Sequence, residues 1–203
     1  MSDFIHRFVK GTGPVTILAL HGTGGTEDDL VPLAQALLPG ASVLSPRGHV
    51  SEFGAARFFK RLAEGVFDME SLHSETAQLA EFVASASEKY GFNPSEVVAV
   101  GFSNGANIAA SLLLSSPATL AGAVLLRAMT PFEPAVPPDL QGKPIFLASG
   151  DMDTMVPLAN IENLKGLFER AGATVTFRLE NAGHNLTQAN IGAARAFMAA
   201  NFA

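Results

Sequence analysis

The sequence predicts an α/β domain: a mostly parallel central sheet with helices on both faces. Two observations carry this expectation. Short runs rich in Val, Ile and Leu alternate along the chain with longer segments of helical period, the pattern of a parallel sheet buried under helices. The chain also has 203 residues, 48% apolar and only 16% charged, enough for one core that buries roughly 70% of the unfolded chain's surface. A single domain over residues 1–203 is expected.

Taken in order, residues 4–10 form an antiparallel starter strand, because the Gly11 to Pro14 stretch supplies a turn. Buried strands follow at 15–20, 41–44, 97–101, 121–126, 145–149 and 175–179, each a short apolar run. A helix is expected over 28–38. The next, over 71–90, sets Leu72, Thr76, Leu79, Phe82, Val83, Ala86 and Tyr90 on one face and stops at Gly91. Residues 104–115 are apolar nearly all round, as in a helix buried at the centre of such a fold. Helices over 158–171 and 187–201 complete the set. Residues 131–144 hold five of the twelve prolines and read as a rigid loop within the domain. Residues 53–68 mix Phe58, Phe59 and Phe67 with Arg57, Lys60 and Arg61 without clean period, and are expected as a short helix and a loop over the sheet edge.

Composition excludes several chemistries. With no cysteine, the chain has no disulfide framework, no thiolate zinc or iron-sulfur site and no cysteine nucleophile. A formal charge of -6, with no basic block, makes nucleic acid an unsuitable partner. The first residues lack the apolar core of a signal peptide, and the longest apolar stretch, 121–126, stops at Arg127, far short of a membrane span. A cytoplasmic protein is expected. Tryptophan is absent and tyrosine occurs once, so fifteen phenylalanines carry the aromatic packing.

The chemistry concentrates at three strand ends. Gly101-Phe102-Ser103-Asn104-Gly105 fits G-x-S-x-G between a strand and a buried helix, where a serine occupies a sharp turn with its hydroxyl lifted above the sheet. A serine hydroxyl is a poor nucleophile at neutral pH and requires a base, itself oriented by an acid. Asp151 and Asp153 follow the strand at 145–149, and His184 follows the strand at 175–179, preceded by Gly183. Asp153 is preferred as the acid. A calcium-loop reading of these aspartates is weak, because Met155 holds the third ligand position. In a parallel sheet such ends share one edge, so residues distant in sequence can meet there. His21-Gly22-Thr23-Gly24-Gly25 ends another strand and reads as a backbone platform for an oxyanion hole, with the NH groups of Thr23 and Asn104 as donors and Gly24 the alternative to Thr23. No phosphate-loop pattern is present.

These segments, with Gly150-Asp151-Met152-Asp153-Thr154-Met155-Val156-Pro157, resemble the phospholipase/carboxylesterase branch of the α/β-hydrolase superfamily. Leu44 to Gly48, Arg57 to Asp68 and Ser103 to Ala109 are similar to small bacterial carboxylesterases linked to quinone and hydroquinone stress. The resemblance implies Ser103 as nucleophile, Asp153 as acid, His184 as base, oxyanion donors at Thr23 and Asn104, and no separate cap domain, which the length also supports. It departs from the acyl-protein thioesterases in carrying Asn104 after the nucleophile, where they carry Gln.

The expected activity is a serine carboxylesterase acting on small-molecule esters through an acyl-enzyme, without cofactor or metal. An acyl thioesterase or lysophospholipase using the same residues is the nearest rival, and a non-catalytic binding protein on the same fold is the rival of another class. A homodimer is compatible with the sequence. On the substrate side, Phe58, Phe59 and Phe67 are candidates to line an acyl or aryl pocket, with Arg57 at its mouth and Arg47 nearby; the competing expectation makes these phenylalanines core residues covering a sheet edge.

Overall fold

The computed structural model describes residues 4–203; residues 1–3, which the one-domain expectation also covers, lie outside them. The central sheet has seven strands: β1 (His6–Val9), β2 (Thr16–Leu20), β3 (Ser42–Pro46), β8 (Val97–Phe102), β9 (Gly122–Leu126), β10 (Pro144–Gly150) and β11 (Thr174–Glu180). Their spatial order is β1-β3-β2-β8-β9-β10-β11. Only β1 runs antiparallel, against β3.

Side chains alternate across this sheet, and the alternation explains why both faces are covered. On β9, Ala123 and Leu125 join one core, while Val124 and Leu126 join the other; on β10, Ile145 and Leu147 part from Phe146 and Ala148 in the same way. Helices α2 (Met69–Tyr90), α3 (Asn104–Ser115) and α4 (Leu158–Arg170) pack on the first face, and α1 (Val31–Leu37) and α5 (Gln188–Phe202) on the second. Every residue of α3 from Asn104 to Leu114 is buried, matching its all-round apolar sequence.

The helix ends follow local chemistry. Helix α2 begins two residues before the expected Ser71, because the Asp68 side chain accepts the Ser71 amide at 3.0 Å, and it ends at Gly91 with φ 70°. Helix α5 starts with a reciprocal Thr187/Asn190 capping box.

Residues 53–68 depart from expectation. Instead of a short helix and a loop they form two antiparallel hairpins, β4 (Val50–Glu52) with β5 (Ala55–Arg57), and β6 (Arg61–Ala63) with β7 (Val66–Phe67). The cause lies in the two-residue turns. Phe53 and Gly54 both have positive φ, 51° and 89°, between paired Glu52 and Ala55, and Gly65 at φ 71° closes the second turn. Both hairpins hang over the carboxyl edge of the sheet and supply the second wall of the site.

Candidate active site

Ser103 sits between β8 and α3 with φ 51° and ψ -115°, a conformation that is strained for a residue with a side chain. The surrounding backbone imposes it. The Ser103 amide donates to the Leu126 carbonyl at 2.9 Å, and the Ser103 carbonyl accepts the Asn107 amide at 2.9 Å. Gly105 makes the turn this tight, since a Cβ there would lie 2.0 Å from the Leu20 carbonyl oxygen of β2. Gly101 is constrained likewise, with the Gly105 carbonyl 2.6 Å from its missing Cβ.

Two other strand ends bring polar side chains to this hydroxyl. The Ser103 Oγ lies 2.9 Å from His184 Nε2, and His184 Nδ1 lies 2.8 Å from Asp153 Oδ2. The other Asp153 oxygen accepts the amides of Met155 at 2.9 Å and Val156 at 3.1 Å. The Asp153 side chain is fully buried, whereas His184 keeps about a fifth of its side chain exposed. Asp151 faces the other way: it is exposed and meets Asn181 Nδ2 at 3.3 Å. A carboxylate held by two amides and one imidazole nitrogen fixes the ring so that its other nitrogen faces the serine.

The loop after β2 comes up beside Ser103. Thr23 and Asn104 both line the cleft with it. Neither the Thr23 nor the Asn104 amide is taken by a backbone acceptor in the surrounding loops, whereas the Gly24 amide donates to Ala56 of β5 at 2.8 Å. That bond removes Gly24 from the donors open to a ligand. His21 is buried and bridges outward: its Nδ1 faces the Gly22 carbonyl at 2.6 Å and its Nε2 accepts the Gly48 amide at 2.9 Å. Burial pushes its pKa below the ordinary 6.5, so the neutral ring that this bonding pattern requires is favoured.

The cleft encloses about 410 Å³ including its open mouth. Arg57 and Phe67 of the hairpins line it. The other three substrate-side candidates are corrected. Phe58 and Phe59 are 1% and 0% exposed and belong to the core, Phe58 against the His21 ring at 4.7 Å and Phe59 edge-on to Phe67 at 5.0 Å. Both rings belong to the bend between the two hairpins, where the chain turns them into the core rather than toward the cleft. Arg47 lies outside the cleft lining and makes a two-pronged ion pair with Glu27 at 2.5 and 2.9 Å.

Two arginines of the cleft lining were not among the site residues expected from the sequence. Arg61 joins Arg57 around Glu52, at 2.9 and 3.5 Å. Arg127, fully buried with φ 59°, donates from Nε to the Gly183 carbonyl at 3.0 Å and from Nη2 to the Asn185 carbonyl at 2.7 Å and Asn190 Oδ1 at 2.8 Å. It thus straps both flanks of His184. A lone arginine directly after an all-buried strand was the available signal.

Comparisons with known proteins agree with this architecture. The family model described as Phospholipase/Carboxylesterase matches residues 61–202. MhqD of Bacillus subtilis (strain 168), named as a hydrolase, is 43% identical over 183 residues, which are 90% of this chain and 92% of that protein. The crystal structure of a Bacillus cereus carboxylesterase superposes with a TM-score of 0.97 at 45% identity, covering 99% of this chain and 96% of that one. The structure of YahD with malic acid gives 0.93 at 32% identity, covering 99% and 100%. This chain belongs to the phospholipase/carboxylesterase family of the α/β-hydrolases, a family of carboxylic ester hydrolases.

Proposed function

We propose that the protein hydrolyses small carboxylic esters through an acyl-enzyme on Ser103. In this reading the Ser103 Oγ attacks the ester carbonyl carbon while His184 Nε2 takes its proton. The Thr23 and Asn104 amides receive the oxyanion of the tetrahedral intermediate, and Asp153 supports the imidazolium. Collapse breaks the bond to the alcohol oxygen, to which His184 returns the proton. Water then attacks the acyl-serine by the same path and releases the acid.

The single observation that carries this is the unbroken contact from Ser103 Oγ to His184 at 2.9 Å and on to Asp153 at 2.8 Å. Small esters are favoured over long acyl chains because the cleft beside Ser103 offers only about 40 Å³ of solvent-accessible space. The relative YahD, whose structure is described with malic acid, is in keeping with a small polar substrate. We further infer one catalytic domain without a separate cap, acting in the cytoplasm without a cofactor. No helix among the described residues is long and apolar enough to cross a membrane.

Steady-state hydrolysis of 4-nitrophenyl esters graded in acyl length tests the assignment. Asp153→Asn should lower kcat by about 10³- to 10⁴-fold, as expected when the imidazole loses its orienting acid, while Asp151→Asn stays near wild type. The reverse result reassigns the acid, and turnover only of long acyl chains or thioesters moves the protein to the rival activity.

A further inference from the structure

The charges around the cleft are unevenly matched. Arg57, Arg61 and Arg127 all line it, in a chain whose formal charge is -6. Arg57 has a side chain only 4% exposed, and its one carboxylate, Glu52 at 3.5 Å, sits closer to Arg61 at 2.9 Å. Its remaining contacts are neutral: Nη1 donates to Thr23 Oγ1 at 2.6 Å and Nε to the Phe59 carbonyl at 3.2 Å. Arg127 has no ion pair among the described residues, bonds only neutral acceptors, and leaves Nη1 buried without a partner. The other carboxylates near the site do not cancel these charges directly. Glu64 stands exposed at the rim, and Asp153 and Glu180 act on Arg127 through space without pairing with it, Asp153 already accepting from Met155 and Val156 and facing His184, and Glu180 accepting from the Thr187 hydroxyl.

A guanidinium stays charged at any ordinary pH, and burying one without a matched anion is unfavourable unless something else supplies the counter-charge. Burial pushes both Arg57 and Arg127 below the usual guanidinium value, which shows how little solvent compensates them. The two approach the cleft from opposite walls, Arg57 from hairpin strand β5 and Arg127 from the end of β9, with Ser103 in the same lining. Arg127 lies wholly covered beneath the lining, so its charge reaches an anion in the cleft as a field, while Arg57 stands at the hairpin wall beside Thr23.

We propose that the preferred substrates carry a second, anionic group, a carboxylate, which Arg57 binds in the field of the buried Arg127 while Ser103 attacks the ester. The inference rests on the assignment of Ser103 as nucleophile and adds the substrate class. A carboxylate matches the planar donor fork of arginine, so binding also orients the ester.

The test compares substrates of equal length that differ by that one group, after subtraction of spontaneous hydrolysis. With the carboxylate on the acyl half, the pair is 4-nitrophenyl hydrogen glutarate and 4-nitrophenyl pentanoate; on the alcohol half, carboxymethyl pentanoate and propyl pentanoate. The wild-type protein should favour the anionic member of at least one pair by roughly tenfold in kcat/KM, and added salt should reduce that ratio. Which pair shows the preference says which half of the ester faces the arginines. Arg57→Gln should bring the ratio toward one and Arg57→Lys should keep most of it. Because the ratio is taken within one variant, a general loss of activity cancels, and if Arg127→Gln fails to fold, Arg57→Gln and the salt series still decide. A wild-type ratio at or below one in both pairs, or a ratio unchanged in Arg57→Gln, overturns the proposal. Failure of the nucleophile assignment looks different, since neutral esters would then also turn over without Ser103.

Discussion

The two walls of the cleft are built by different physics. One consists of the ends of β8, β9, β10 and β11, where Ser103, Arg127, Asp153 and His184 follow strands locked in register by the parallel sheet. The other consists of two short hairpins anchored by the buried Phe58 and Phe59 rings between them and otherwise held to the body by single hydrogen bonds: Gly24 amide to Ala56, Arg57 to Thr23, the Phe58 amide to Asn104 Oδ1 at 2.8 Å and the Lys60 amide to Ser71 Oγ at 3.0 Å. Groups that must hold a hydroxyl, a ring and a carboxylate in line are placed on the stiff wall. In the proposed reaction, the hairpin groups that would meet the variable part of a substrate sit on the wall whose turns can change without disturbing the sheet.

The largest effect is expected where the stiff wall is tightest. Gly105→Ala puts a methyl 2.0 Å from the Leu20 carbonyl oxygen, a backbone contact that cannot move aside. We expect a loss of about 3 kcal/mol or more in a denaturant titration, together with loss of turnover. A variant with wild-type stability and activity would show that β2 and α3 can separate, and that the two walls do not differ in stiffness.

How much of this was legible in the sequence divides along the same line. The strand-end wall could be read because its determinants are local: an apolar run, then a small-residue turn, then a polar side chain, three times over. The hairpins could not. Their strands are two or three residues long, too short for a period of two to emerge, and their inward rings at Phe58 and Phe59 are adjacent rather than alternating. The Phe53-Gly54 turn was the one usable mark. Arg47 and Arg127 show the same limit for charges, since only the fold reveals that Glu27 neutralises the first while no carboxylate among the described residues pairs with the second.

A smaller effect should appear at the junction of the walls. His21 directly follows β2, accepts the Gly48 amide and packs its ring on Phe58. Its folded pKa lies below the ordinary 6.5 because burial disfavours the charged ring. The unfolded chain therefore binds the proton more readily, so the stability held by neutral His21 is complete above 6.5 and is lost as the pH falls below it. Melting temperatures measured from neutral to mildly acid pH should fall more steeply for wild type than for His21→Gln. Parallel slopes would mean that the junction tolerates a charged ring and that the hairpin wall does not depend on it.

The central claim, that Ser103 is the nucleophile, is tested most directly by intact-mass measurement of the folded protein after reaction with a fluorophosphonate. One adduct on wild-type protein, mapped to Ser103 and absent from a folded Ser103→Ala variant, is the predicted result. No adduct, or equal labelling of the two proteins, would contradict it.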